Sequence, residues 1–376
     1  MPFYSQLNRI IEKPDERKRA VNNLISLREQ LDVAVPPKDT EDNLLLATWN
    51  LRDFGKPLNK RRGWGPRLPE TWFYIAEVIS RFDFVAVQEV NELTEWKTVM
   101  GILGRHWDFI ATDETDPDIG GNGERMTFVF DKRKVWFQGI AGEIVLPAQY
   151  LISKTELKVE KKKVVAGNQF KRTPFIASFQ SGWLQFDICT VHLYYGDDSG
   201  SKLQERIAEI GTIAKYLSTR ADRALGQDRA LIVLGDFNIV SPEHDTMAAL
   251  EGNGFQVPQA LKQKPTTGTA KHYDQIGFKT KPEVIEYIET PSTNPREANA
   301  GVFPIFERVF AESQFDLYAD TVKALSTAGQ KADTAAKLRR AYRDWRTYQF
   351  SDHYPMWVRL QTDGSTAYLR RLADSL

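Results

Sequence analysis

The chain has 376 residues, with 50 Lys and Arg against 50 Asp and Glu and a formal charge of zero, so it is not a polyanion binder by bulk charge and any basic function must be local. Hydrophobic residues at 41% with nine Trp suffice for one large core, and the single cysteine, Cys189, excludes an internal disulfide or a cysteine-rich zinc site. The start lacks the apolar region of a signal peptide, and no run approaches the ~18 apolar residues needed to span a bilayer; the expectation is a soluble, cytoplasmic protein.

Residues 14–31, "PDERKRAVNNLISLREQL", read as a helix: Pro14 and two acids suit its start, and Val21, Leu24, Ile25, Leu27 and Leu31 form an apolar stripe. A Pro-rich connector follows, so 1–43 is expected to be an N-terminal helix and linker that docks on the body, self-associates or binds a protein partner. From Leu44 onward short apolar strands dominate. The candidates are "LLLATWN", "FVAVQEV", "MTFVF", "PFIASFQ", "LQFDICTVHLYY", "ALIVLGDFN", "YDQIGFK" and "HYPMWVRL". Helices are expected over 70–81, 92–104 and 202–220, and 304–348 reads as mostly helical. This mixture suits two packed sheets with helices outside better than a doubly wound parallel sheet. The body is expected to run from 44 to 362 with a helical insertion at about 304–348, leaving 363–376 as a C-terminal tail.

Polar residues fall at the strand ends. Apolar runs end in Asn50, in Gln88 and Glu89, in His192, and in Asp236 and Asn238, whereas two other strands open with Asp274 and with Ser351, Asp352 and His353. If those two run antiparallel to the rest, all six clusters gather at one rim. A single such cluster is an ordinary strand surfacing into water, but six of one kind mark a site. Carboxylates, amides and two histidines with no Cys ligand suit a hard cation, Mg²⁺ first and Mn²⁺ or Ca²⁺ next, rather than zinc. No Gly-x-Ser-x-Gly nucleophile and no phosphate-binding Gly-rich loop is present. That set matches hydrolysis of a phosphate ester by activated water, the histidines moving the protons.

The motifs "TWN", "QEV", "VHL", "GDFN" and "SDH" occur in the order found in the endonuclease/exonuclease/phosphatase superfamily, which the chain resembles from about Leu44 to Leu360. Within it, "WNLRDFG", "GERMTFVFDKRKV", "KRTPF", "HYDQIGF" and "FSDHYPMWVRL" look most like the pancreatic-type deoxyribonucleases. The resemblance implies a four-layered α/β sandwich, two mainly antiparallel sheets flanked by helices. It implies Glu89 as the main metal ligand with Asn50 and Asp352 beside it, and Asp236 and Asn238 at the scissile phosphate, the attacking water or a second metal. It pairs His353 with Asp274 and His192 with Glu124, and places Arg172 on a phosphate. Asn91 stands where the nuclease has a minor-groove arginine, and "GGNG" replaces a tyrosine-bearing segment before Glu124, which weakens the case for duplex DNA.

Two basic stretches offset the neutral total. "KPLNKRRGWGPR" (56–67) follows the Asn50 strand directly, so Arg61, Arg62 and Trp64, together with Arg52 in the turn before it, are expected substrate contacts. The stretch 158–163 reads as a solvated loop. "RRAYRDWRTY", just before Asp352, is either a lid or a packed accessory helix. His106, His244 and His272 read as structural, and Cys189 as core. The function expected is a metal-dependent phosphodiesterase, a nuclease acting on DNA. The alternatives are the same chemistry on a phosphoinositide or sphingomyelin-type headgroup, and a non-catalytic nucleic-acid-binding adaptor.

Overall fold

Apolar runs too continuous for a half-solvated strand demand cover on both faces, and two stacked sheets under helices provide it. The computed structural model describes residues 2–38, 42–60, 63–114, 123–159, 162–225, 229–280 and 297–376. The strands are β1 (Asn43–Phe54), β2 (Phe84–Val90), β3 (Trp107–Ala111), β4 (Arg125–Asp131), β5 (Trp136–Glu143), β6 (Ser153–Val159) and β7 (Lys162–Asn168). They continue with β8 (Phe175–Ser181), β9 (Leu184–His192), β10 (Ala230–Asp236), β11 (Asp274–Lys279), β12 (Ala300–Val302) and β13 (Met356–Gln361). One sheet has the order β12-β13-β1-β2-β4-β3, the other β11-β10-β9-β8-β5, and β6 and β7 form a separate hairpin.

Each large sheet contains one parallel pair, β1/β2 or β9/β10. Its other pairings are antiparallel. On β1 and β2, Leu44, Leu46, Phe84 and Ala86 face the second sheet, where the Phe84 ring meets Phe179 edge-on with centroids 4.9 Å apart. The alternate residues Leu45, Ala47, Trp49, Val85 and Val87 belong to the core beneath the helices. Successive side chains of a strand point to opposite faces, so a strand with cover on both sides reads as "LLLATW" without alternation.

The helices α1 (Leu7–Ile10), α2 (Pro14–Ala34), α3 (Pro69–Ile79) and α4 (Leu93–Leu103) precede β3, and α5 (Gly200–Leu225) lies against β10. Short α6 (Asp245–Glu251) and α7 (Gln259–Lys262) follow β10, and His244 caps α6 by accepting from the Thr246 N–H. The C-terminal part carries α8 (Phe315–Leu325), α9 (Thr327–Gln330), α10 (Ala335–Gln349) and α11 (Ser365–Ser375). Helices α3, α4, α8 and α10 share the outer core of the first sheet and α5 covers the second, which completes the four-layered α/β sandwich with mainly antiparallel sheets.

The N-terminal helix α2 docks on the body. Leu24, Leu27 and Leu31 are buried, and the Asn23 amide donates to Tyr74 and Tyr318 hydroxyls at 3.1 and 2.9 Å. Ion pairs join Arg19 to Glu70 at 2.8 Å and Arg28 to Glu77 at 3.1 Å. Within the 304–348 segment Tyr342 and Trp345 of α10 are fully buried against α8 and the Phe310 ring, so this face packs as an accessory layer.

Several elements differ from the sequence expectation. Of the stretch 158–163, residues 158–159 end β6 and 162–163 begin β7, and 160–161 lie outside the described residues. Strand β5, "WFQGIAGE", is exposed along its length and so carries no alternation to betray it. Strands β3 and β12 are too short for periodicity to register, and helix α11 stands where a C-terminal tail is expected from the sequence. Among the described residues no helix is long and apolar enough to cross a membrane.

Candidate active site

Strand direction assembles the site. In the parallel pair β1/β2, Asn50 lies opposite Gln88, so Asn50 and Glu89 emerge at the same end. In the parallel pair β9/β10, Asp236 lies opposite His192. Strand β11 runs antiparallel and sets Asp274 opposite Asp236, and antiparallel β4 begins beside Val90, putting Glu124 at the same rim. Antiparallel β13 starts opposite Thr48, so Ser351–His353 arrive beside Asn50, where the Ser351 hydroxyl donates to the Asn50 carbonyl at 2.6 Å. Gly235 permits the β9/β10 approach: at its φ of +127° a Cβ would stand 2.1 Å from the Val191 carbonyl oxygen.

Two imidazoles bracket one carboxylate oxygen. His353 Nδ1 lies 2.7 Å from Asp274 Oδ2 and His192 Nδ1 lies 2.6 Å from Glu124 Oε1. The opposite ring nitrogens, both Nε2, stand 3.7 and 3.6 Å from Asp236 Oδ2. Each ring thus has a buried carboxylate behind it and its second nitrogen turned toward Asp236. His192 Nε2 is also 3.8 Å from Glu89 Oε1. The Asn50 amide donates to Glu89 Oε1 at 2.8 Å and to Asp236 Oδ2 at 3.1 Å, tying the two sheets together.

The rim backbone is held in an uncommon conformation. Arg52, Asp53, Glu89 and Asn238 all have φ between +39° and +62°, a left-handed region that costs a non-glycine residue about 1–2 kcal/mol. Local hydrogen bonds stabilise it. Asn50 Oδ1 accepts from the Arg52 N–H at 2.9 Å, Glu89 Oε2 from the Asp53 N–H at 2.7 Å, and Asp236 Oδ1 from the Asn238 N–H at 3.0 Å. The Asn238 amide donates to the Leu193 carbonyl at 2.9 Å.

Burial would depress the His353 pKa, but Asp274 and Asp236 overcome it and hold the imidazole well above its usual value. Burial and Arg172 pull His192 down, yet Glu124 and Asp236 leave it raised. Glu124 is pushed up by burial but held below the ordinary range by His192 and Arg172, and Asp236 by the two histidines. Asp274 is raised, burial prevailing over its cationic neighbour His353.

The donor set fits a hard divalent cation. Glu89 with Glu124 and His192, and Asp236 with Asp274 and His353, each present ligand atoms within 4.8 Å of one another. Glu124 and Asp274 are committed to the imidazoles, which leaves Glu89 and Asp236 as oxygen donors, with part-exposed Asp352 held 3.0 Å from Arg52. Asn50 reaches this group through its NH₂, its oxygen being bound to the Arg52 N–H.

The expected substrate contacts divide. Arg52 lies at the rim with its guanidinium against Asp352 and 3.9 Å from the Tyr348 ring centroid. Trp64 stacks on the same tyrosine, with centroids 5.0 Å apart and planes at 15°, so one Trp64 face is covered. Arg61 and Arg62 lie outside the described residues. The Arg172 Nε is 2.7 Å from Glu124 Oε1 and its NH1 donates to the Leu193 carbonyl, so it braces the His192 partner. Two members of the basic stretch turn inward: buried Arg67 binds the carbonyls of Leu51, Arg52, Asp53 and Gln349, and Lys56 pairs with Asp53. Asn91 is buried, donating to the Gly123 carbonyl.

Arg206 escaped the sequence reading. Fully buried, it binds the carbonyls of Tyr195, Asp197 and Asn238 and so fixes the loop after His192 to the loop after Asp236. Its signal was a cation in register with Ile210, Ile213 and Leu217 on the apolar stripe of α5. Tyr348 was likewise hidden, because its role arises only from contact with Arg52.

Fold and site together define a four-layered α/β sandwich whose shared strand rim carries two histidine–carboxylate pairs around a cation-competent acidic centre. No protein-family model matches the chain, and no curated protein matches its sequence. Solved structures do. An endonuclease/exonuclease/phosphatase family protein from Bacteroides thetaiotaomicron is 16% identical with a TM-score of 0.49, over 85% of this chain and 98% of that one. A mannosyl-6-phosphatase from the same organism is 15% identical with a TM-score of 0.48, over 84% and 99%. D. rerio TDP2, in complex with a single-stranded DNA product, is 13% identical with a TM-score of 0.47, over 85% and 98%. These are likenesses at low identity, and what those proteins act on is theirs alone.

Proposed function

We propose that this protein is a divalent-metal-dependent phosphodiesterase of the endonuclease/exonuclease/phosphatase type that cleaves nucleic acid, DNA in the first instance. The observation that carries the reading is the pair of imidazoles, each backed by a buried carboxylate at 2.6 or 2.7 Å, whose Nε2 atoms converge on Asp236 Oδ2. A structural histidine needs one partner; two imidazoles that each have a carboxylate behind and share a third in front are arranged as an acid–base pair.

A hard cation at Glu89 and Asp236, with Asp352 nearby, supplies charge neutralisation at the phosphoryl oxygens. The chain's own groups do the rest. Asp236 and Asn238 orient the phosphate and the attacking water. One imidazole takes the proton from water and the other returns one to the leaving oxygen, each step worth about 10²–10⁴-fold in rate. Asp274 and Glu124 hold the rings with Nε2 forward, His192 and Arg172 keep Glu124 ionised, and the Asn50 amide, donating to both, bridges Glu89 and Asp236. Arg52, paired with Asp352 at the rim, would offer its guanidinium to a phosphate there.

The test incubates purified protein with plasmid, linear duplex, single-stranded DNA and RNA, in Mg²⁺ and in EDTA. Cleavage is expected in Mg²⁺ only and lost in His353→Ala. Turnover that survives chelation, or that His353→Ala leaves intact, overturns the mechanism. Turnover of a phospholipid headgroup in vesicles, with none on nucleic acid, overturns the substrate.

A further inference from the structure

We infer that Tyr195 is the seat of an unpaired nucleobase next to the scissile phosphate, so that the enzyme acts on single-stranded rather than duplex nucleic acid; this rests on the reading above. The residue lies three positions beyond His192 in "HLYYGDD" and is 41% exposed. Its position relative to the chemistry follows from ring contacts. The Tyr195 ring meets Tyr273 edge-on at 5.8 Å, and the Tyr273 ring lies 5.9 Å from the His353 imidazole.

An exposed tyrosine on a loop is usually mobile; this one is not. The Arg206 guanidinium carbon stands 4.7 Å from the Tyr195 centroid while its Nε binds the Tyr195 carbonyl at 2.8 Å. That cation is itself fully buried. The next residue, Gly196, has φ +64°, and a Cβ there would lie 2.8 Å from the Tyr194 ring and 2.9 Å from Lys202. The buried Arg206 cation over the Tyr195 ring and the Tyr273 ring at 5.8 Å hold a side chain that is still 41% exposed. A held, exposed aromatic ring suits a flat ligand.

Of the nearby acids, Asp198 is paired with Lys271 at 2.9 Å and Glu205 with Lys171 at 3.5 Å, while the exposed Asp197 accepts from the Asp198 N–H at 2.8 Å. In a duplex both faces of a base are covered by its stacked neighbours, whereas an unpaired base offers a face to an aromatic ring.

The test measures affinity in EDTA, where nothing turns over. Fluorescein-labelled single-stranded DNA, the same strand made abasic, and the annealed duplex are titrated with wild type, Tyr195→Ala and Tyr195→Trp. Wild type is expected to bind the base-bearing strand about 5- to 150-fold more tightly than the abasic one, the range expected for one stacked base. Tyr195→Ala should cut that ratio at least about five-fold and Tyr195→Trp preserve it. A wild-type ratio near one, a ratio unmoved by Tyr195→Ala, or a duplex bound as tightly as the single strand overturns the inference. Base preference without any cleavage in Mg²⁺ supports the seat and overturns the hydrolase reading alone.

Discussion

Asp274→Asn isolates the charge behind His353 without changing side-chain volume. Asp274 is fully buried, and its Oδ2 stands 2.7 Å from His353 Nδ1. Attraction between unit charges about 4 Å apart is worth roughly 4 kcal/mol at an effective dielectric constant of about 20, and Asp236, 3.7 Å from the other ring nitrogen, retains part of the stabilisation. Only what is realised as the imidazolium forms or discharges in the transition state reaches kcat. The expected loss is about 10²- to 10³-fold, which equals roughly 3–4 kcal/mol. KM should stay within about three-fold, because Asp274 is out of reach of substrate. The limb of the pH–rate profile that belongs to His353 should move to lower pH, since Asp274 is the main group raising that imidazole. Its identity tells whether His353 works as base (acid limb) or acid (alkaline limb). Hydrolysis of bis(p-nitrophenyl) phosphate in saturating Mg²⁺, read by absorbance, gives kcat, KM and the profile, with circular dichroism as the folding control. A loss under ten-fold, or a profile with neither limb displaced, would refute the assignment.

Glu89→Gln should raise the Mg²⁺ concentration for half-maximal activity at least about ten-fold, and EDTA should reduce wild type to background until Mg²⁺ is restored; a metal titration superimposable on wild type contradicts the ligand role. Leu27→Ala on α2 should lower unfolding free energy by about 2–5 kcal/mol in urea, because Leu27 is fully buried between that helix and the body; a change under about 1 kcal/mol would mean that the helix is detachable. Burial raises the Asp131 carboxyl, but Arg133 hydrogen bonds and Lys38 outweigh it and hold the group well below the usual range. Its contribution is therefore complete above the unfolded pKa near about 4 and is lost as pH falls through the lower folded value. The stability gap between wild type and Asp131→Asn should be constant from pH 7 to 5 and shrink below about 4; a gap that widened on acidification would reverse the sign.

Local chemistry in the sequence determined a good deal. Uninterrupted apolar runs such as "LLLATW" and "ALIVLGD" announce strands with cover on both faces, and the polar residues at their ends announce a rim, because an isolated buried carboxylate is too costly to occur by accident. The His353–Asp274 and His192–Glu124 pairs, implied by the motifs, meet at hydrogen-bond distance. Tertiary structure decided what each remaining cation and aromatic does. Arg67 and Lys56 belong to a basic stretch in sequence but to backbone carbonyls and Asp53 in space, and Trp64 has Tyr348 against one face. Arg206 reads as one more helix cation until α5 turns it inward to join the loops after His192 and Asp236. A strand's pattern depends on near neighbours along the chain, whereas a guanidinium is claimed by whichever anion or carbonyl folding brings within 3 Å, and for Arg67 and Gln349 that partner lies 282 positions away.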